Sequence, residues 1–245
     1  MRIDAHNLHY RELNQRLREA IAAGAAEIEL DNVNGQRYIA DGVERQVRIA
    51  IRGVPGNDLG AFMDGPQVVV HGNAQDAIGN TMNGGKIVVH GDAGDVLGYG
   101  MRGGKILVRG DVGYRVGIHM KAYRSQVPVL IAGGTAGDFL GEYMAGGILV
   151  VLGLTGRQGQ PLVGDYCATG MHGGIIYVSG EVHRSHVAGD QVAVREATAD
   201  DVRQLRPHLA EYCSEFGFDL EMILARRFVK LAPFSHRPYG GKYAA

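Results

Sequence analysis

Three consecutive stretches of this chain are each 19 residues long and align without a gap: MDGPQVVVHGNAQDAIGNT from Met63, MNGGKIVVHGDAGDVLGYG from Met82 and MRGGKILVRGDVGYRVGIH from Met101. Met120 falls next in step, and the segment Glu44–Phe62 carries the same pattern. The columns are chemically consistent. Gly53, Gly72, Gly91 and Gly110 form one, and Gly60, Gly79, Gly98 and Gly117 another. Leu59, Ile78, Leu97 and Val116 precede the second glycine column; Val68, Ile87 and Ile106, then Val70, Val89 and Val108, make two further apolar columns. Beyond Met120 the period loosens, yet Gly134, Gly137 and Gly141 keep the spacing, and a loop is inserted around Arg157–Asp165.

A unit this short, with one clear β run such as QVVVH or KILVR, cannot bury an apolar face alone. Stacking like units solves the problem, because each strand pairs with its counterpart one coil away at ~4.8 Å and like residues form internal ladders. The pattern therefore predicts an all-β solenoid, a parallel β-helix of about seven coils between residues 44 and 190. A second short extended stretch is expected around the Leu59/Ile78/Leu97 column. The 38 glycines, against only 7 prolines, fit corners that need φ > 0 or close backbone approach. The spacing G-x-x-G-x-x-x-G is intact at Gly53/Gly56/Gly60, Gly91/Gly94/Gly98, Gly110/Gly113/Gly117 and Gly134/Gly137/Gly141, whereas Gln75 replaces the middle glycine of the unit between Gly72 and Gly79. These 14 glycines are structural candidates.

The repeat also disposes of a decoy. Gly98-Tyr99-Gly100-Met101-Arg102-Gly103 is a literal G-x-G-x-x-G, but a dinucleotide fingerprint must open a helix. Here Gly103 is followed at once by GKILV, another strand, and Gly98 and Gly103 belong to different columns.

Chemistry is sparse. His71 and His90 share a column continued by Arg109, an arrangement open to a metal pair or, more simply, to an outward polar position beside a turn. His172, His183 and His186 cluster near one end without a zinc spacing. Asp76 and Asp95 share a column with Asn57 and Tyr114 and read as a solvated corner. Cys167 and Cys213 match no metal or redox spacing. No catalytic, cofactor-binding or metal-ligating residue is assigned. A net charge of −1 argues against a nucleic-acid surface, and no run is apolar enough to span a membrane. The expectation is a soluble, cytoplasmic protein.

Outside the repeat, residues 1–43 read as an N-terminal cap. Leu13, Leu17 and Ile21 lie at helical spacing before Gly24, and AEIELDNV alternates as a strand. Residues 191–245 read as a helical C-terminal cap and tail, opening on a capping-box pattern, Thr198 to Asp201, with Val202, Leu205 and Leu209 on one face. DLEMILARRF then reads as a shorter helix and FVKLAP as a strand, before a tail rich in aromatics.

The segments GDAGDVLGYGMRGGKILVRGDVG, GEYMAGGILVVLG and GMHGGIIYV resemble the GXGXG domain that closes the large subunit of glutamate synthase and stands alone as a subunit of N-methylglutamate synthase-type complexes. They are also similar to the GXGXG-bearing subunit of formylmethanofuran dehydrogenase and to that of the bacterial formyltransferase/hydrolase complex. The similarity covers roughly residues 35–190, and ILARRFVKLAP is similar to the close of the glutamate synthase type. The resemblance implies a right-handed β-helix without catalytic residues, bracing a class II glutamine amidotransferase-type subunit and an FMN-dependent synthase subunit that carries the flavin and an iron–sulfur cluster. Two alternatives stand beside it: a C1 formyl complex, and an autonomous β-helix hydrolase or lyase working through residues such as Asp95 or His90.

Overall fold

The computed structural model describes residues 1–155 and 159–234. The centre of the inserted loop and the tail from Ser235 lie outside the described residues. The chain forms a parallel β-solenoid built on one 11-stranded sheet. In chain order the elements are β1 (Arg2–Asp4), α1 (Tyr10–Ala22), β2 (Glu27–Asn34), β3 (Arg48–Val54), β4 (Gln67–His71), β5 (Lys86–Val89), β6 (Lys105–Val108), β7 (Val129–Ala132), β8 (Ala145–Val151), β9 (Gly173–Ser179), β10 (Val192–Glu196), α2 (Ala199–Phe216), α3 (Leu220–Leu224) and β11 (Phe228–Pro233). Strands β1 to β9 follow one another in parallel, and β11 then β10 close the sheet antiparallel.

The repeat columns superpose. Ile49, Val68, Ile87, Ile106, Leu130, Leu149 and Ile176 pair in unbroken succession. They point into the bore with the Met63, Met82, Met101, Met120, Met144 and Met171 column. Every one of those side chains is essentially inaccessible, so each contributes roughly 1.5–3 kcal/mol of burial. The seven strands β3–β9 bound six complete turns rather than seven. The coil path also begins earlier than the strict period suggests: β2 pairs with β3 in parallel, and Gly60 N donates to Ile39 O across that step. Where residues are inserted, at Lys121–Val127 between β6 and β7 and around 155–163 between β8 and β9, the bore ladder still pairs Ile106 with Leu130 and Leu149 with Ile176, although β8 and β9 shift register between Ala145 and Ile148.

The second extended contact is not where the sequence places it. Isolated parallel bridges run through Ala74, Ala93, Val112, Ala136 and Val163. The Leu59/Ile78/Leu97 column is instead part of a turn, because the residues on either side adopt left-handed backbone, as Ala77 (φ 58°) and Gly79 (φ 66°) do around Ile78. Two consecutive reversals of this kind leave no room for an extended run.

Glycine is required at the second of these reversals. A Cβ at Gly60, Gly79, Gly98, Gly117 or Gly141 would point into the bore, 2.4–2.9 Å from a δ-methyl of Ile87, Ile106, Leu130, Leu149 or Ile176. The flanking left-handed positions face outward and accept Asp58, Val96, Phe62 and Tyr143. Ala40 and Ala168 take the glycine's place in the first and last coils, each on left-handed backbone (φ 61°).

Both predicted helices form, on different surfaces. α1 lays Leu13, Leu17, Ala20 and Ile21 on the N-terminal end of the bore. α2 begins with the predicted capping box and ends on Gly217 in left-handed backbone. It does not sit on the end of the bore. It covers the outer face of the sheet, packing Leu205, Leu209, Tyr212 and Cys213 on Val69, Val88, Leu107, Ile131, Val150 and Tyr177. Those outward residues explain why the strands are apolar at every position rather than alternating. Ion pairs fix the helix on its flank: Lys86 to Glu215 (2.5 Å) and Glu211 (3.2 Å), and Lys105 to Glu211. Asp201 accepts from Tyr177 Oη at 2.9 Å and pairs with Lys230 on β11. Burial alone would raise its carboxyl. The Lys230 ammonium, with the Thr198 and Tyr177 donors, instead holds it well below the usual carboxylate range. No helix of the described residues is long and apolar enough to cross a membrane.

Gly98→Val and Gly117→Val are expected to destabilise the fold by roughly 3 kcal/mol or more, adding overpacking to backbone strain. Gly100→Ala, with φ +57° but nothing nearer its Cβ than Thr81 Oγ1 at 3.6 Å, should cost only about 1 kcal/mol. Urea unfolding of the three variants checks the contrast.

Candidate functional site

The solenoid corners hold two ladders of side-chain oxygens, each bonded to the backbone of the next coil. In the first, Asn73 Oδ1 accepts from Asp92 N, Asp92 Oδ1 from Asp111 N, and Asp111 Oδ1 from Thr135 N, at 2.7–3.0 Å. In the second, Asp76 Oδ1 accepts from Asp95 N, Asp95 Oδ1 from Tyr114 N and Asp138 Oδ1 from Asp165 N, at 2.8–3.1 Å. The remaining glycine columns exist to admit these oxygens. A Cβ on Gly91, Gly110 or Gly134 would stand 1.9–2.0 Å from the Oδ1 of Asn73, Asp92 or Asp111, and one on Gly94 or Gly113 2.0–2.1 Å from that of Asp76 or Asp95. At Gly53, Gly56, Gly72 and Gly137 the obstacle is backbone of the preceding coil, most of it carbonyl oxygen. The one missing glycine fits the rule: Gln75 lies above Gly56 and Asn57, and Asn57 makes no bond of this kind among the described residues. Asp76 and Asp95 are thus more than a solvated corner, since each locks two coils together.

His71 and His90 stack with ring centroids 5.2 Å apart, and Phe216 of α2 closes edge-on over His90 at 5.2 Å. Burial lowers the His90 imidazole from its ordinary value, His71 and Arg109 lower it further, and Glu215 opposes them. Burial and Lys105 lower His208 on α2 in the same direction. His90 is therefore a ring biased toward its neutral form beneath a helix.

The remaining candidates are scattered. His186 Nδ1 lies 2.7 Å from Asp165 Oδ1, His183 caps the short 3-10 turn Arg184–His186, and His172 Nδ1 is 3.1 Å from Gly170 O. Among the described residues no three His, Cys, Asp or Glu side chains converge as a metal site would need. Cys167 occupies the bore in the Leu140 column, its thiol pushed up to about 12 by burial, and Cys213 is buried on the sheet-facing side of α2. An open cleft of about 420 Å³ lies at the C-terminal end between Glu181–Arg184 and the paired strands β10 and β11. Its charges are largely paired internally, Arg227 with Glu196 and Arg184 with Asp190.

Four aromatics escape a reading by columns. Phe62, Tyr99, Tyr143 and Tyr166 stand 54%, 40%, 43% and 57% exposed on the left-handed corner. They are inconspicuous in the sequence because neighbouring coils carry Thr81, Gly100 or Gly170 in the column of Phe62 and Tyr143, Asn80 in that of Tyr99 and Arg115 in that of Tyr166. The available signal is that these columns, unlike those facing the bore, change chemistry from coil to coil.

Comparison with known proteins adds three findings. The GXGXG motif family matches residues 20–234. An uncharacterized protein of Methanocaldococcus jannaschii, MJ1350, is 47% identical over 249 residues, covering 98% of this chain and 95% of its own. A chain in the crystal structure of the formyltransferase/hydrolase complex FhcABCD from Methylorubrum extorquens, in complex with methylofuran, has the same fold. It superposes with a TM-score of 0.65 at 20% identity, covering 93% of this chain and 89% of that one.

Asp95→Ala should cost about 1 kcal/mol by freeing the Tyr114 N–H, whereas Asp95→Asn, which keeps the acceptor as Asn73 does, should be nearly neutral; denaturant midpoints separate the two. A second expectation concerns pH. A histidine whose folded value lies below its unfolded one binds protons more readily in the unfolded chain. Stability is then full above about 6.5 and declines as pH falls from there toward the depressed value. Unfolding followed between pH 7.5 and 5.5 should show that decline, and His90→Gln should flatten it.

Proposed function

The chain belongs to the GXGXG motif family, and from that premise we propose that it is a bracing subunit of a hetero-oligomeric enzyme, with the chemistry supplied by its partners. The observation that carries this reading is the near full-length likeness to a chain that sits within a multi-subunit enzyme. The local chemistry supports it. The ladder carboxylates have an oxygen engaged by backbone, both cysteines are buried, and the stacked histidine lies under Phe216. Such groups hold a shape; they do not form a nucleophile–base–orienter set.

Of the complexes that use this fold, a formyl-transferring C1 complex is the first reading, because the solved relative belongs to a formyltransferase/hydrolase. The second is a glutamate synthase-type complex, in which an amidotransferase-type subunit and an FMN and iron–sulfur subunit would be the partners. The segment from Ile223 to Pro233 favours it: its resemblance to the end of the glutamate synthase domain coincides with the strand β11 that closes the sheet.

Affinity purification of the chain from its source extract, with partners identified by mass spectrometry and by visible absorption, tests both. An amidohydrolase-like partner without flavin supports the first reading, and an amidotransferase-type partner with a flavin spectrum the second. Recovery of the chain alone would overturn the subunit proposal.

A further inference from the structure

Three surfaces of the solenoid are already covered by the chain itself. The sheet face lies under α2, the N-terminal end under α1, and the paired strands β10 and β11 add Val192, Val229 and Leu231 to the C-terminal end of the bore. The left-handed corner has no such cover, and it departs from what a merely solvated edge would carry. Its aromatics are contiguous from coil to coil: His119 stacks on Tyr143 at 5.3 Å, Tyr99 meets His119 edge-on at 5.8 Å, and Phe139 stacks on Tyr166 at 4.9 Å.

Five rings of this edge sit on backbone that disfavours them. Phe62 (φ 57°), His119 (φ 55°), Phe139 (φ 60°), Tyr143 (φ 51°) and Tyr166 (φ 60°) are left-handed, a conformation that strains a bulky side chain. In the Phe62/Tyr143 column Gly100 and Gly170 show that a glycine serves the fold equally well. The rings hang outward and fill no core, so burial in the bore does not account for them.

The charge on the same edge is predominantly negative, with Arg115 as a cation among its carboxylates. Asp76, Asp95 and Asp138 stand in the column next to the aromatics, each with one oxygen on the backbone of the next coil and none in an ion pair among the described residues. Between the rings, Glu142 is 8% exposed, and its Oε2 has no hydrogen bond and only Arg115 at 3.5 Å. The Arg115 guanidinium is turned over Phe139, 4.8 Å from the ring centroid. The edge thus already shows how it receives a cation, with a ring face on one side and a carboxylate on the other.

We infer that this corner is the docking edge for a partner subunit, which meets it with a basic surface of arginines and lysines lying along the aromatic strip, their charges opposite the aspartate column. The inference rests on the subunit reading above and adds to it the face and the chemistry of the contact. Ring faces and unpaired carboxylates attract the same groups, and complementary charge of this kind sets register between partners more than it sets raw affinity. A second copy of this chain would bring the same acidic edge and meet repulsion.

The test uses the assembled complex isolated through a tag on this chain. Zero-length carbodiimide coupling joins carboxylates to lysines in contact. The expected products link Asp76, Asp95 or Asp138 to lysines of a different polypeptide. A triple variant, Asp76→Asn, Asp95→Asn and Asp138→Asn, keeps every backbone acceptor, so its melting temperature should match the parent. It should hold the partner about tenfold more weakly at low salt and lose most of the salt dependence of binding. Coupling only within the chain or between two copies of it, or a folded triple variant that binds as tightly as the parent, overturns the docking edge while leaving the subunit reading intact. Recovery of the chain without any partner overturns both.

Discussion

Everything in this molecule depends on successive coils lying in register at strand-pairing distance. That spacing leaves little space between one turn of backbone and the next, and the two ladders fill it with carboxylate and amide oxygens. An Oδ1 of one coil reaches a backbone N–H of the coil above, and the residue beside that N–H must then lack a Cβ. Asp92 with Gly110, and Asp95 with Gly113, are two readings of one constraint. The third glycine of the spacing answers to a different neighbour, the aliphatic ladder of the bore, as Gly117 does to Leu149. A motif that looks like flexible loop is in fact a record of steric exclusion from two sides.

The repeat made most of this legible. Column identity at Val68, Ile87 and Ile106 translates directly into pairing, since a solenoid superposes equivalent positions. The capping box at Thr198 and the helical spacing of Leu13, Leu17 and Ile21 are local signals, and local signals transfer well. What could not be read was which surface a helix covers. Leu205 and Leu209 announce an apolar face, but only the unbroken apolar run VVV of β4, with its middle residue turned outward, hints that a sheet flank needs it. The second extended stretch was displaced for a similar reason: Ile78 is flanked by left-handed residues, and an alanine at 77 carries no mark of its own conformation.

The candidate site was the least legible part. Histidine and aspartate draw the eye because they can do chemistry, yet here Asp76 and Asp95 brace backbone and His90 packs beneath Phe216. Phe62, Tyr143 and Tyr166 share positions with threonine or arginine and no motif marks them, so their alignment along one edge emerges only when the coils are stacked. In a repeat fold, side chains that depart from their column carry as much information as those that define it.

The position of α2 in the chain has a bearing on how the protein is made. Val69, Val88 and Leu107 are shielded by side chains between Leu205 and Phe216, far downstream of the strands they cover. A ribosome therefore releases a growing stack with one greasy flank bare until its closing helix emerges. Other nascent chains could adhere to that flank in the interval, so delay near the end of translation is the moment of greatest hazard for this polypeptide.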